Sequence, residues 1–218
     1  MLDVYPTLAL DVSTNVAHAC LIISKNKIFH AQAKVGQQHS HSVLPLLEDL
    51  LEEAELTWED LKLLVLGQGP GSFTGLRIAA ATIAGINASL KLPIWGISSL
   101  AITSMQLESD TPIWVVEDAR SHDIFLACYD QGLVQQQDQC IHIDSLPHHD
   151  IAYPYVCSSD FDLHQKNWHR LSFQYSRHHA MSRYILKYIK NLDIQTLSTQ
   201  LQPVYLQLSQ AERQLQYG

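Results

Sequence analysis

Between residues 67 and 75 the chain reads Gly67-Gln68-Gly69-Pro70-Gly71-Ser72-Phe73-Thr74-Gly75. An apolar run, Leu63-Leu64-Val65-Leu66, precedes it, and a stretch of helical composition reaching about Leu90 follows. The order buried strand, constrained loop, helix belongs to an α/β layer architecture. The density of Gly and Pro demands backbone shapes that other residues resist. Ser72 or Thr74 is placed to cap the helix. Two readings of the loop stand: free N–H groups at the helix start that meet an anion, or a tight strand-to-helix turn with no ligand. It is not a Walker A loop, because no Gly-Lys-Ser/Thr follows and Arg77 comes too late. It is not a nucleophile elbow, because Phe73 occupies the centre of Gly71–Gly75.

The helix after the loop carries a stripe of small residues. Ala81, Gly85 and Ser89 recur every fourth position, and Ala84 and Ala88 widen the stripe. Gly85 costs about 1 kcal/mol of helix propensity relative to Ala, so close approach of another backbone is its natural use.

Around this unit the pattern is of short strands and amphipathic helices. Leu8-Ala9-Leu10-Asp11-Val12 reads as a strand running into the turn Asp11-Val12-Ser13-Thr14-Asn15. Strands over 16–23 and 28–35, with Lys25-Asn26 turning between them, complete an antiparallel meander. A helix from Ser42, as N-cap, to Ala54 places Val43, Leu46, Leu47, Leu50, Leu51 and Ala54 at helical spacing. Thr57-Trp58-Glu59-Asp60 has the form of a capped turn. A strand over 93–97 leads to a helix starting at Ser98. A second half opens near Thr111-Pro112, with strands over 113–117, ending in Asp118-Ala119-Arg120, then 124–129 and 133–143. Residues 144–180 follow no clear period. A helix over 181–189 sets Tyr184, Ile185, Tyr188 and Ile189 on one face. Both halves open with an apolar strand reaching an acid, Leu10-Asp11 and Glu117-Asp118, which fits a duplicated α/β fold.

Composition narrows the function classes. With 218 residues, 46% apolar and 17% charged, the chain can bury a sizeable core. A net charge of −8 lacks the footprint of an autonomous nucleic-acid binder. Protonating all 12 His would carry that charge to +4, so the surface responds to pH between 5 and 7. No apolar run of roughly 18 residues suggests a membrane span, and the opening Met1-Leu2-Asp3-Val4-Tyr5-Pro6 lacks the features of a secretory signal. Cys20, Cys128, Cys140 and Cys157 form no C-x-x-C and read as reduced thiols of a cytoplasmic protein.

Other candidate sites each have a structural alternative. His39 and His41 could share a strand face as metal ligands, or lie exposed ahead of a helix. His148-His149 and His178-His179 read as surface pairs that point apart along strands. Glu117, Asp118 and Asp123 could gather around Mg²⁺; alternatively, Asp118 pairs with Arg120 and fixes a turn. No metal site is expected.

The run Gly67-Gln-Gly-Pro-Gly-Ser-Phe-Thr-Gly-Leu-Arg-Ile78 resembles the bacterial TsaB (YeaZ) family, a component of the machinery that makes N6-threonylcarbamoyladenosine in tRNA. Further segments match in order: Leu10-Asp11 with Ser13-Thr14, Gln38-His39-Ser40 with Leu44-Pro45-Leu46, Trp95 to Leu100, Asp118-Ala119-Arg120, and Pro203-Val204-Tyr205-Leu206. The resemblance covers residues 7–130 well and 131–200 poorly, and it returns at 203–206. Two positions depart from it: His122, where the family usually has Gly, and Gln207, where it usually has Arg.

The resemblance implies an α/β ASKHA (actin-like, ribonuclease H-like) fold of two related halves, each a mixed sheet with packed helices. The expected division is 1–108, carrying the partner-binding helices, then 109–202, then a tail over 203–218. It implies a non-catalytic scaffold for TsaD, the paralogue that modifies adenosine 37 of tRNAs reading ANN codons. TsaE would join the assembly, TsaC would supply threonylcarbamoyl-adenylate, the chain alone would form a homodimer, and tRNA would be met only through the complex. No cofactor is expected on this chain alone, with ATP or ADP and Mg²⁺ expected in the assembly. Leu46, Leu50, Ala81, Gly85 and Ser89 are the expected interface. Gly69, Pro70, Gly71, Ser72, Thr74, Gly75 and Arg77 form the structural loop. Asp11 and Asp118 occupy degenerate phosphate-loop positions, because the turns after them, Asp11 to Asn15 and Asp118 to His122, lack the Gly that lets backbone N–H groups approach phosphate. No catalytic residue is expected. The alternative is an enzyme acting alone, an ASKHA nucleotide hydrolase or phosphotransferase, or a metallopeptidase-like protein, with Asp11 and Asp118 holding metal.

Overall fold

The run Thr7–Asp11 forms β1 and is buried along its whole length, as a strand must be when both faces of its sheet are covered. The computed structural model describes residues 4–34, 40–146, 153–158, 161–163, 165 and 167–207. β1 pairs antiparallel with β2 (Val16–Ser24), which pairs antiparallel with β3 (Lys27–Lys34). On its other side β1 runs parallel to β4 (Leu63–Gly67), and β4 runs parallel to β5 (Ile94–Ile97). The strand order is β3-β2-β1-β4-β5.

The second half repeats the plan. β6 (Ile113–Arg120) pairs antiparallel with β7 (Asp123–Asp130), and β7 with β8 (Leu133–His142). β9 (Tyr153–Val156) lies parallel to β6, and β10 (Trp168–Arg170) parallel to β9. The order β10-β9-β6-β7-β8 is the first sheet's arrangement again. The duplicated α/β architecture expected from the sequence is therefore present.

Period-2 alternation in the first sheet decides what each face meets. Leu8, Leu10, Leu64 and Leu66 point to α1 (Ser40–Glu53) and α2 (Phe73–Leu90). Ala9, Cys20, Ile22, Leu63 and Val65 point to the opposite face. There Ile102 of α3 (Ser99–Ser104) and Ala180, Met181 and Ile185 of α4 (Arg177–Tyr188) cover them. Leu100 and Ala101 of α3 turn the other way and pack on β6 and β7. α3 thus lies between the sheets. α4, though late in the chain, belongs to the layer against the first sheet.

Several boundaries differ from the sequence reading. α1 begins at Ser40, so Ser42 lies inside the helix rather than capping it. α4 begins at Arg177, four residues before the expected start, because Ala180 and Met181 are already core residues of the first sheet. β6 continues through Asp118 to Arg120, so the second acid sits within a strand and not in a turn after it. At 18 residues, α2 is long and apolar enough to cross a membrane by length and composition, although Arg77, Thr82 and Asn87 interrupt its apolar residues. Here Leu76, Ala79, Ile83 and Asn87 pack it against the rest of the chain. The Thr57 cap is as expected: its N–H donates to the Asp60 carboxylate at 2.8 Å. None of the four cysteines is in a disulfide.

Candidate functional site

A cleft of about 1350 Å³ opens between the halves. The turn after β1 (Ser13, Thr14, Asn15), the glycine loop (Gly71, Ser72, Thr74) and the end of β6 (Glu117 to Arg120) line it. Asp11 does not line it: the acid is fully buried behind Ser13 and Arg177, which do. As the last residue of β1 it shares a face with Ala9, which turns it toward α4 and into the reach of Arg177.

The Asp11 carboxylate accepts three hydrogen bonds within the chain. Arg177 Nε donates to Oδ2 at 2.5 Å and Ser13 Oγ to the same oxygen at 3.1 Å, while Ser99 Oγ donates to Oδ1 at 2.8 Å. Arg177 is itself only 4% exposed. Its other nitrogens donate to Thr103 Oγ1 (2.6 Å), Ser13 Oγ (2.8 Å) and the Ser99 carbonyl (2.9 Å). Burial alone would push the Asp11 carboxyl up, but the Arg177 charge and the Arg177 and Ser99 hydrogen bonds outweigh it and hold the group below the usual carboxylate range.

The glycine loop closes over this acid. A Cβ on Gly67 would lie 2.1 Å from Asp11 Oδ1, one on Gly71 2.5 Å from the Ser13 carbonyl oxygen, and one on Gly75 1.9 Å from the Val12 carbonyl oxygen. Three glycines therefore allow the loop to rest directly on the end of β1 and the turn beyond it. The Ser72 N–H donates to the Ser13 carbonyl at 2.7 Å, and the Gly69 N–H to Ser99 Oγ at 3.1 Å. Ser72 Oγ, rather than Thr74, caps α2 by accepting from the Gly75 N–H at 3.3 Å. These bonds and close approaches are those of a tight strand-to-helix turn. The Arg77 guanidinium lies over the Phe73 ring at 4.0 Å, and Tyr205 meets the other side of the loop, 4.7 Å from Phe73. The Val204 N–H donates to the Gln68 carbonyl at 2.7 Å, which ties the segment 203–206 to the loop.

The second acid does not mirror the first. Asp118 is exposed, and its Oδ1 accepts from the Arg120 N–H at 2.7 Å, which fixes the turn. Half-buried Glu117 accepts from the Ser158 N–H at 3.0 and 3.1 Å, and burial raises its carboxyl. Asp123 instead accepts from Gln207 Nε2 at 3.0 Å. Among the described residues no group of three or more His, Cys, Asp or Glu side chains is placed to hold a metal ion. Arg120, Ser121 and His122 all adopt left-handed φ, from 55° to 67°, a backbone region that favours Gly. Gln207, the other departure, still reaches an acid on the second half.

The expected interface separates into two sets. Leu46 (8% exposed) and Leu50 (1% exposed) lie in the core against the first sheet, which corrects their assignment to a partner surface. The outward side of α1 carries Leu44, Pro45, Glu48, Asp49, Glu52 and Glu53. Ala81, Gly85 and Ser89 do face outward, and nothing lies within 4 Å of a Cβ built on Gly85.

His39 and His148-His149 lie outside the described residues, as does the side chain of His41. His178 and His179 sit on α4 and not on a strand, which corrects that part of the reading; His179 is exposed and His178 half-buried. The His178 ring is 5.8 Å from His18 and 5.3 Å from His30, and His179 is 4.1 Å from His30. Burial, together with the neighbouring Arg177 charge, lowers His18 to about 4, and burial with the two α4 imidazoles lowers His30 to about 4. Sequence reasoning also missed Arg177, Ser99 and Thr103. The 166-residue separation of Arg177 from Asp11 leaves no local signal for their pairing.

Residues 23–150 match the family model described as TsaD: tRNA N6-adenosine threonylcarbamoyltransferase. Over 98 residues, 44% of this chain and 47% of the relative, the sequence is 32% identical to the tRNA threonylcarbamoyladenosine biosynthesis protein TsaB of Buchnera aphidicola subsp. Schizaphis graminum. It is 29% identical to the protein of the same name from Haemophilus influenzae over 123 residues, 55% of this chain and 52% of the relative. The chain spans about half the length of the curated relatives it matches. YeaZ from Pseudomonas aeruginosa has a similar fold, with a TM-score of 0.71 at 21% identity, covering 92% of this chain and 99% of that one. That likeness supports the ASKHA-type architecture.

Proposed function

This chain belongs to the TsaB/YeaZ family, within the wider group matched by the TsaD model, and on that footing we propose that it is a non-catalytic subunit in the formation of N6-threonylcarbamoyladenosine in tRNA. In this reading it supports a TsaD-type transferase acting at adenosine 37 of tRNAs that read ANN codons. TsaE joins the assembly, and tRNA is bound only there.

The observation that carries the non-catalytic reading is the engagement of Asp11. An acid that holds a metal or positions water needs free lone pairs facing the cleft. Here Arg177, Ser13 and Ser99 occupy three of its roughly four acceptor positions, and Arg177 sets a positive charge where a metal would have to sit. The space that would lie beside a phosphate at Gly71 and Gly75 is filled by the carbonyls of Ser13 and Val12. These residues do not fit a phosphate–Mg²⁺ centre formed by this chain alone, so ATP or ADP with Mg²⁺ is assigned to the assembled complex.

The outward face of α2 is the surface we assign to the partner. Ala81, Gly85 and Ser89 let a second helix approach closely, and the same face serves self-association when the partner is absent. Binding there would stabilise the competent arrangement of the transferase by population shift. Size-exclusion chromatography with the TsaD of the same organism tests this. A stable 1:1 complex with the native chain, lost in Gly85→Trp while the variant keeps its native circular dichroism and melting, is the expected result. Unchanged binding by Gly85→Trp would remove α2 from the interface.

A further inference from the structure

Beside Val204 and Leu206, which also line the cleft, lies a second cavity of about 450 Å³. Its floor is a polar cluster. Ser98 Oγ donates to Asp138 Oδ2 at 2.5 Å, and the Tyr129 hydroxyl donates to Asp138 Oδ1 and meets Ser98 Oγ at 3.0 Å. Its rim is apolar. Of the five large apolar side chains that are exposed among the described residues, Leu133, Val134 and Val204 line this cavity, and Tyr205 follows Val204 in the chain. Exposed apolar surface is thus concentrated around one carboxylate.

The two inward-facing aspartates differ in one respect. Asp11 has Arg177 against it. Among the described residues Asp138 is held by neutral hydroxyl donors alone, and it is the one charged residue of these lining its cavity. Burial raises the Asp138 carboxyl, and a cation brought against it would favour the charged form. Each of its oxygens already accepts one hydroxyl, so the fork of a guanidinium, which needs both oxygens free along one edge, fits poorly, whereas a point ammonium needs one remaining lone pair. The Tyr184 ring in the wall adds a face suited to a cation. The exposed rim is wider than a bare amine would cover and suits the residues flanking a side chain.

We propose that the Ser98–Tyr129–Asp138 cavity is a docking socket for a lysine side chain of a protein partner, the alkyl stem packing on Leu133, Val134 and Val204 and the ammonium meeting Asp138. It is separate from α2 and does not depend on the role proposed above.

The test titrates the ¹⁵N-labelled full chain with three probes: acetyl-Leu-Lys-Leu-amide, the same peptide with norleucine for lysine, and pentylammonium. The lysine peptide should shift the amides of Gly132, Leu133, Val134 and Asp138 saturably. Norleucine should weaken binding about tenfold, and Asp138→Asn, which keeps the side chain's shape and loses its charge, should weaken the lysine peptide by a similar factor. Leu133→Ser, at an exposed position that leaves the floor intact, should weaken it several-fold and guards against misfolding of the Asp138 variant. Equal binding of the norleucine peptide would overturn the role of charge. Pentylammonium as tight as the lysine peptide would mark a site for small amines and overturn the protein partner. Absence of shifts at these amides would overturn the site.

Discussion

Arg177 Nε lies 2.5 Å from Asp11 Oδ2, and both residues are almost fully withdrawn from solvent. The pair joins the first residue of α4 to the last residue of β1, so it anchors α4 to the edge of the cleft and occupies the acid in one contact. A buried ion pair is weak evidence of net stability, but breaking it leaves a charge buried alone. Arg177→Met should therefore destabilise the chain by about 3–5 kcal/mol. Urea unfolding checks this, and Arg177→Lys should restore little, because one ammonium cannot replace donors to Asp11, Thr103, Ser13 and the Ser99 carbonyl.

Gly75 and Gly85, about 2.8 turns apart on α2, should respond in opposite directions. Gly75→Ala drives a methyl to 1.9 Å from the Val12 carbonyl oxygen, so the loop or the turn after β1 must shift. Gly85→Ala meets nothing within 4 Å and should stabilise α2 by up to about 1 kcal/mol. Thermal melts of the two variants beside the native chain check the contrast. A stabilised Gly75→Ala would contradict the close packing of the loop on β1.

Stability should fall as the solution is acidified from pH 7 toward 4. His18 and His30 are held neutral in the folded chain with pKa values of about 4, whereas in the unfolded chain they protonate near 6.5. Between those values the unfolded state binds more protons, so stability rises with pH across that window and is lost as pH falls through it. For His18, 8% exposed, the loss amounts to at most about 3 kcal/mol by pH 4. The groups facing it are Asp11 on β1 and Arg177 and His178 on α4. The depressed Asp11 carboxyl adds a further loss only at lower pH, below its ordinary 3.8. Urea midpoints at pH 7.5 and 5 should differ in the native chain and differ less in His18→Asn. Equal midpoints in the native chain would contradict the burial of the neutral imidazole.

The two former interface candidates on α1 should act on folding. Leu50→Ala should cost about 2–5 kcal/mol of monomer stability, since the side chain is 1% exposed in the core. Any loss of partner binding should then follow the loss of folded protein. Binding lost at full stability would place Leu50 at the partner surface after all.

Much of the fold was legible because it rests on local periodicity. The apolar run at 63–66, the glycine loop and the small-residue helix appear where their patterns place them. The α1 pattern also held its answer: Leu46 and Leu50 fall on the same face as Val43, Leu47 and Ala54, opposite Glu48, Asp49, Glu52 and Glu53, and the larger apolar face belongs to the core. The site was less legible because its decisive contacts are long-range. Asp11 was visible as the acid ending a strand, but its state is set by Arg177, which lies in a stretch without a hydrophobic period. His178-His179 misled for the same reason, since nothing nearby in sequence reports that His18 and His30 pack beside them. The reach of β6 through Asp118 depends on pairing with β7, with Asp118 opposite Ile124, and Asp118 alone carries no sign of it.

In the function proposed above, this chain is required for tRNA modification without supplying the reacting groups. Reconstitution with the TsaD, TsaE and TsaC of its own organism, tRNA, threonine, bicarbonate and ATP tests it most directly, with formation of N6-threonylcarbamoyladenosine as the readout. Modification should be lost when this chain is omitted, be restored at one copy per TsaD, and be unchanged by Asp118→Asn, while the chain alone turns over no ATP. Full modification without the chain, or ATP turnover by the pure chain that disappears in Asp11→Ala, would contradict the account.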